Sequence, residues 1–200
     1  MKLVVATGNA HKVVELGQLL APADVSLASY TQATGKAFQV EETGDTFEAN
    51  ALLKARHAAE QTGLPSLGDD SGLEVDALGG APGVYSARYA GPGSSDADNN
   101  ARLIRELAAT GQSEPYAARF VCVLALAWPG DLRPAIIVRG ECEGAVSVEP
   151  RGDHGFGYDP YFVPRGSDRA MAEMSETEKN AISHRGHAAA AMLSALKGLR

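Results

Sequence analysis

Strand-like and helix-like segments interleave at both ends of this 200-residue chain, with a pair of strand-like runs between them. That order favours a mixed α/β sheet over a purely doubly wound one. Leu3, Val4, Val5 and Ala6 form a short apolar run that stops at Thr7, Gly8 and Asn9, which predicts a buried strand and then a turn. Val13, Leu16, Leu19 and Leu20 recur at helical spacing until Pro22 ends the element. Residues 25–30 read as a second strand, and residues 31–44 as loop with a short strand at 38–40. The next helix is predicted over 45–61, with Asp45 as its cap and Glu48 as the return contact of a capping box. Its apolar stripe is Phe47, Ala51, Ala55 and Ala58, while Asn50, Lys54 and His57 project from another face.

Residues 66–78 read as two short strands around Asp69-Asp70-Ser71-Gly72, and 79–83 as a turn cluster. A surface helix over 95–110 carries Leu103, Ile104 and Leu107 inward. Residues 117–128 and 135–143 are strands joined by Pro129-Gly130-Asp131, hairpin-like in turn chemistry. A Gly- and aromatic-rich loop over 152–164 precedes two helices, 176–183 and 184–199. No repeat, low-complexity linker or composition break divides the chain, so a single domain over 1–200 is expected.

Composition narrows the function. Eighteen Lys+Arg against 25 Asp+Glu give a net charge of −7, which leaves room for a local anion pocket but not for broad phosphate-backbone binding. No nucleic-acid partner is expected. The longest apolar run, 120–128, is far short of a membrane span, and the apolar residues 3–6 are too few for a signal peptide. A soluble, cytoplasmic protein without a membrane partner follows as the expectation. Cys122 and Cys142 are the only cysteines, and reduced, buried thiols are expected for both.

Several familiar signatures are missing. There is no G-x-x-x-x-G-K-[ST], G-x-S-x-G or H-E-x-x-H, and Gly155-Phe156-Gly157 fails as a dinucleotide fingerprint because Pro160 replaces the third glycine. Three clusters remain. Thr7, Gly8, Asn9, Ala10, His11 and Lys12 lie at a strand end and helix start, where backbone N–H groups, the helix dipole and a lysine favour an anion; the same residues also suit a plain turn with Asn9 as cap. Asp69 and Asp70, within an apolar stretch, could share a cation such as Mg²⁺, with Glu41-Glu42 as a further ligand source; a plain Asp-rich turn is the alternative. Phe156, Gly157, Tyr158 and Asp159, with Ser183-His184-Arg185 further on, offer rings, a carboxylate and a guanidinium able to hold a flat heterocycle, unless the rings are simply core. Together they form the inventory of an enzyme acting on a nucleoside triphosphate with Mg²⁺.

Those residues resemble a known family. Thr7-Gly8-Asn9 with Lys12 and Glu15, Glu41-Glu42-Thr43-Gly44, and Thr46-Phe47-x-x-Asn50-Ala51-x-x-Lys54-Ala55 are similar to the start of the inosine triphosphate pyrophosphatase family. Asp69-Asp70-Ser71-Gly72-Leu73, the run from Gly79 to Tyr89, Phe156-Gly157-Tyr158-Asp159-Pro160 and Lys179-x-x-Ile182-Ser183-His184-Arg185 continue the match in order. Thr177 departs from it, standing where an acidic residue is expected. The resemblance implies an elongated mixed α/β fold with two lobes around a central groove, a homodimer, and Mg²⁺-dependent hydrolysis of ITP, dITP and XTP to the monophosphate and pyrophosphate. It also implies Asp70 as general base and metal ligand, Glu41 as another ligand and Asp69 in support. Thr7 to Lys12, Lys54 and Ser71 would hold the triphosphate, and Phe156 to Asp159, Lys179, His184 and Arg185 the nucleoside. A pyrimidine-directed pyrophosphatase of the Maf type and a non-catalytic nucleotide sensor are the rival readings.

Overall fold

The computed structural model describes residues 1–198, a mixed α/β fold with helices flanking a six-stranded sheet. The strands β1 (Lys2–Ala6), β2 (Ser26–Ser29), β3 (Ser66–Val75), β4 (Tyr116–Ala127), β5 (Ile136–Val146) and β6 (Phe162–Pro164) are hydrogen-bonded in the order β2-β1-β3-β4-β5-β6. β1 runs parallel to β2 and β3, whereas β6 runs antiparallel to β5, with Ala145 opposite Val163. The helices are α1 (Ala10–Leu20), α2 (Tyr30–Thr34), α3 (Phe47–Thr62), α4 (Asp96–Ala109), α5 (Glu176–Ile182) and α6 (His184–Lys197). Leu199, the predicted end of the last helix, lies outside the described residues. Among the described residues no helix is long and apolar enough to cross a membrane.

The chain forms two compact units, whose boundaries fall inside β3, β4 and β5 and at the first residue of α6. Among the described residues the first comprises 1–70, 122–140 and 185–198, and the second 71–121 and 141–184. In the first unit, alternation along β1 sends Leu3 and Val5 into a cluster with Leu16, Leu20, Met192 and Leu196. Val4 and Ala6 enter another cluster, with Tyr30 and Ala58. The strand is therefore covered on both faces, and its unbroken apolar run is what that burial requires. Gly68 of β3 meets α3 so closely that a Cβ there would stand 2.1 Å from the Ala51 carbonyl oxygen. In the second unit Leu73, Val75, Tyr116, Ala118 and Phe120 pack with Leu103 and Leu107 of α4. The intervening Glu74 and Arg119 form an ion cluster with Asp76 and Glu143. Both cysteines are free and buried, as expected.

Five local expectations change. Residues 30–34 form α2, where residue 30 was expected to end a strand and 31–34 to be loop, and its start carries a capping box in which Ser29 and Gln32 exchange hydrogen bonds; residues 38–40 form no strand. The cap of α3 is Thr46, whose hydroxyl accepts the Ala49 N–H at 3.1 Å, so Asp45 is one position too early and Glu48 serves as a first-turn acid. β3 is one strand of ten residues running straight through Asp69, Asp70, Ser71 and Gly72. The short β6 stands where a loop was expected.

Candidate active site

The turn from β1 into α1 is ordered by its own side chains. Thr7 Oγ1 accepts the Asn9 N–H at 3.0 Å, and Asn9 Oδ1 caps α1 by accepting from the N–H groups of His11 (2.9 Å) and Lys12 (3.3 Å). The cap alternative is thus realised, and it aims Lys12 at the sheet. Its Nζ lies 2.5 Å from Asp69 Oδ1. Ala10 and His11 are exposed.

Asp69 is 1% exposed and its carboxylate is shared between two cations. Besides Lys12, it accepts from Arg185 Nε at 2.8 Å and from Arg185 Nη2 at 3.5 Å, while the Cys122 thiol lies 3.5 Å away. Burial pushes the Asp69 carboxyl up, but Arg185 and then Lys12 outweigh it and hold the group well below the usual carboxylate range. The same burial, reinforced by the Asp69 charge, drives the Cys122 thiol well above its ordinary value. Arg185 completes the chain with Glu15, which accepts from Nη1 at 2.6 Å.

The adjacent Asp70 has a different setting. Lys54 Nζ donates to its Oδ1 at 2.6 Å, to the Asp69 carbonyl at 3.3 Å, and pairs with Glu42 at 2.9 Å. Its other oxygen, Oδ2, is buried without a hydrogen-bond partner. Here desolvation wins over Lys54, and the Asp70 carboxyl is raised above its ordinary value. Lys54 is raised too, because Asp70 and Glu42 together outweigh the burial that opposes its charge. Two neighbours on one strand point to opposite faces, and this alternation gives two adjacent aspartates opposite protonation tendencies.

A cleft of about 510 Å³ in the first unit is lined by Thr7, Gly8, Glu41, Glu42 and Lys54, among others. Glu41 is exposed on its wall. His57, one turn after Lys54 on α3, sets its ring edge-on to Phe38 at 6.0 Å. Asn50 turns inward and accepts the Gly44 N–H at 2.9 Å. The residues fit Mg²⁺, which takes one or two carboxylates and completes its shell with waters and substrate phosphates. An unpartnered buried oxygen on Asp70 and the cleft-facing Glu41 are suitable donors. Asp69 fits that role poorly, since Lys12 and Arg185 already occupy its oxygens. Among the described residues, no group of three or more His, Cys, Asp or Glu is gathered as a metal cage.

The second unit holds the remaining predicted residues. Asp159 Oδ2 accepts the Phe156 N–H at 3.0 Å and pairs with Lys179 at 2.8 Å, and Lys179 Nζ lies 4.9 Å from the centre of the Phe156 ring. A Cβ on Gly155 (φ +80°) would stand 2.1 Å from Asp159 Oδ2, so this turn requires glycine. Tyr158 is core, its hydroxyl donating to the Ser86 carbonyl at 2.8 Å. His184 stacks on Phe120 at 4.8 Å and 14°. Ser71, next to Asp70 on β3, is half-buried, and Thr177 is exposed on α5.

The sequence offers Glu42 only together with Glu41 as a source of a metal ligand, and Glu15 only as part of the family match; their pairing with Lys54 and Arg185 is what the structure adds. Glu15 stands one helical turn after Lys12, a spacing that could have found it. Glu41 and Glu42 are adjacent in an irregular segment, where no periodicity tells which one meets Lys54.

Comparison with known proteins agrees with the whole length of the chain. A dITP/XTP pyrophosphatase of Yersinia pseudotuberculosis is 46% identical over 196 residues, 98% of each chain. One of Exiguobacterium sibiricum is 51% identical over 191 residues, 94% of this chain and 93% of that one. The solved structure of a HAM1 protein from Coxiella burnetii superposes with a TM-score of 0.89 at 42% identity, covering 99% of both chains. That of a nucleoside-triphosphatase, or dITP/XTP pyrophosphatase, from Mycobacterium abscessus gives 0.75 at 44% identity over 96% of this chain and 99% of that one. The model of the Ham1 family matches residues 3–195, and the chain belongs to that family.

Proposed function

We propose that this chain is a nucleoside triphosphate pyrophosphatase that hydrolyses dITP, XTP and ITP with Mg²⁺, acting on the cytoplasmic nucleotide pool. Water adds to phosphorus, the bond between the α- and β-phosphates breaks, and the products are the nucleoside monophosphate and pyrophosphate. The observation that carries this reading is Asp70: a buried carboxylate with one oxygen on Lys54 and the other unpartnered. Such a group can take a proton from an attacking water.

The charges around it support the metal. Lys12, Lys54 and Arg185 are already met by Asp69, Asp70, Glu15 and Glu42, so these side chains supply no surplus positive charge for a triphosphate. Bound Mg²⁺, held by Asp70 and Glu41, would supply that charge and stabilise the departing pyrophosphate. Lys12 and Lys54 then serve the phosphates, with Thr7 to His11 and Ser71 alongside, and Asp69 keeps Lys12 oriented.

Phe156 to Asp159 and Lys179 form the purine-holding part, with His184 in support through Phe120. A 6-oxo purine offers an acceptor where adenine offers an amine, and Arg185 is the donor suited to it. Arg185 must exchange a carboxylate partner to do so, since its donors lie on Asp69 and Glu15. A homodimer belongs to the same proposal, on the strength of the family resemblance, and sedimentation equilibrium tests it.

The deciding experiment is pyrophosphate release from ITP, XTP, GTP, ATP and dTTP, each with Mg²⁺ and with EDTA. Fast, Mg²⁺-dependent release from ITP and XTP with slow ATP and GTP is the expected result. Preference for dTTP would move the chain to the pyrimidine reading, and binding of ITP without release would make it a sensor.

A further inference from the structure

Gly157 lies between Phe156 and Tyr158 at φ +63°, in the left-handed region. Both peptide planes that flank it are tied to the start of α4. Its N–H donates to Asp96 Oδ2 at 2.7 Å, and its carbonyl accepts from Asn100 Nδ2 at 2.9 Å. Asp96 and Asn100 stand at i and i+4, so they lie one above the other on the same helix face. A capping box between Ser95 and Asp98 fixes the geometry of that first turn. Glycine has more backbone freedom to lose than any other residue, and a bond on each side of it removes that freedom.

Asn100 is costly where it stands. It is 7% exposed, continues the inward positions of Leu103 and Leu107, and its Oδ1 is buried with no hydrogen-bond partner. An apolar side chain would avoid that unpaired oxygen. The amide cannot gain by flipping, because Oδ1 would then face the Gly157 carbonyl oxygen. The bond from Nδ2 to Gly157 is what this buried amide returns.

We infer that Asp96 and Asn100 are positioning residues for purine recognition, acting through the two peptide planes of Gly157. The inference rests on the proposal that Phe156 to Asp159 hold the base. Asp159 ties the Phe156 N–H and Lys179, Tyr158 is anchored on Ser86, and the α4 pair fixes the plane that sets the Phe156 ring under Lys179. Neither residue acts on phosphate chemistry. Loss of the clamp therefore raises KM and blurs base choice while leaving the chemical step alone.

The test is kcat and KM for ITP and ATP in the full-length protein, with thermal melts, for Asp96→Ala, Asp96→Asn, Asn100→Asp and Phe156→Ala. Asp96→Asn keeps an acceptor oxygen for the Gly157 N–H, whereas Asn100→Asp keeps shape but sets an acceptor against a carbonyl. The expected result is a KM for ITP raised about 10-fold by Asp96→Ala and Asn100→Asp, with kcat within about 3-fold, a reduced ITP-over-ATP preference, and Asp96→Asn restored to near wild-type KM. Unchanged KM and preference in the Asp96→Ala and Asn100→Asp variants, with Phe156→Ala impaired, overturns the clamp and leaves the base-holding proposal standing. An unaltered Phe156→Ala overturns the base-holding proposal and the clamp with it. If Asn100→Asp does not fold, the Asp96→Ala and Asp96→Asn pair decides: equal losses of kcat for both nucleotides without rescue would mean a structural role only, against the inference.

Discussion

Arg185 Nε donates to Asp69 Oδ2 at 2.8 Å, a buried contact between residues 116 positions apart. It joins the start of α6 to the middle of β3, and through Asp69 it reaches Lys12 at the start of α1. Three segments distant in sequence thus meet on one carboxylate. Replacing Asp69 by Asn takes from the buried Arg185 one of its two carboxylate partners, Glu15 being the other, and takes from Lys12 the carboxylate it meets, a loss of about 3–5 kcal/mol. For a chain of this length the expected fall in Tm is on the order of 10 °C, read by thermal unfolding. A change of a degree or two would show the pair to be weak.

The same pair sets a pH dependence. Asp69 is depressed in the folded state, so its contribution to stability is present above the ordinary aspartate pKa and is lost as pH falls through the lower, folded value. Stability from this pair should hold through mildly acidic pH and decline only below about pH 4. Urea midpoints between pH 3 and 7 for wild type and Asp69→Asn would show their difference shrinking only at the acid end. A difference that vanishes already near pH 6 contradicts the assignment.

Asp70→Asn removes the proposed base while preserving shape. Turnover of ITP should drop by at least ~10²-fold with nucleotide binding, measured by calorimetry, retained. Undiminished turnover would remove Asp70 from the chemistry.

The pH–rate profile should carry the mark of Asp70 as well. Its carboxyl is raised by burial and restrained by Lys54 in the metal-free protein, and bound Mg²⁺ would draw it down again, so activity should be lost on the acid side as Asp70 takes up its proton and lets the metal go. Lys54→Met takes the restraint away, and the acid limb of kcat/KM should move to higher pH. A limb that stays in place, or moves down, would assign it to another group.

Cys122 and Cys142 should both resist thiol reagents in the native protein. Burial lifts the Cys122 thiol well above its ordinary value and the Cys142 thiol to about 11, so little thiolate is present and neither sulfur is accessible. Titration with a chromogenic disulfide should find essentially no reaction until denaturant is added. Rapid labelling of the native chain would contradict the buried setting of Asp69.

Local chemistry was enough for what local chemistry decides. The unbroken apolar run of β1, the Asn9 cap, the helical spacing of Leu16 and Leu20 and the interleaved order that makes the sheet mixed are all short-range patterns, readable residue by residue. Even the missed α2 left a trace, since Ser29 and Gln32 have capping-box spacing. β3 is different. Asp69-Asp70-Ser71-Gly72 has turn composition, and it stays extended because Lys12, Lys54 and Arg185 arrive from elsewhere to neutralise the carboxylates. The tertiary structure alone decided that one aspartate is locked between two cations while its neighbour keeps an oxygen to spare. It also decided that Glu42 meets Lys54 and that Asp96 and Asn100 hold Gly157. Burial and charge pairing act through space, so protonation and orientation at a site depend on which distant side chains fold into it.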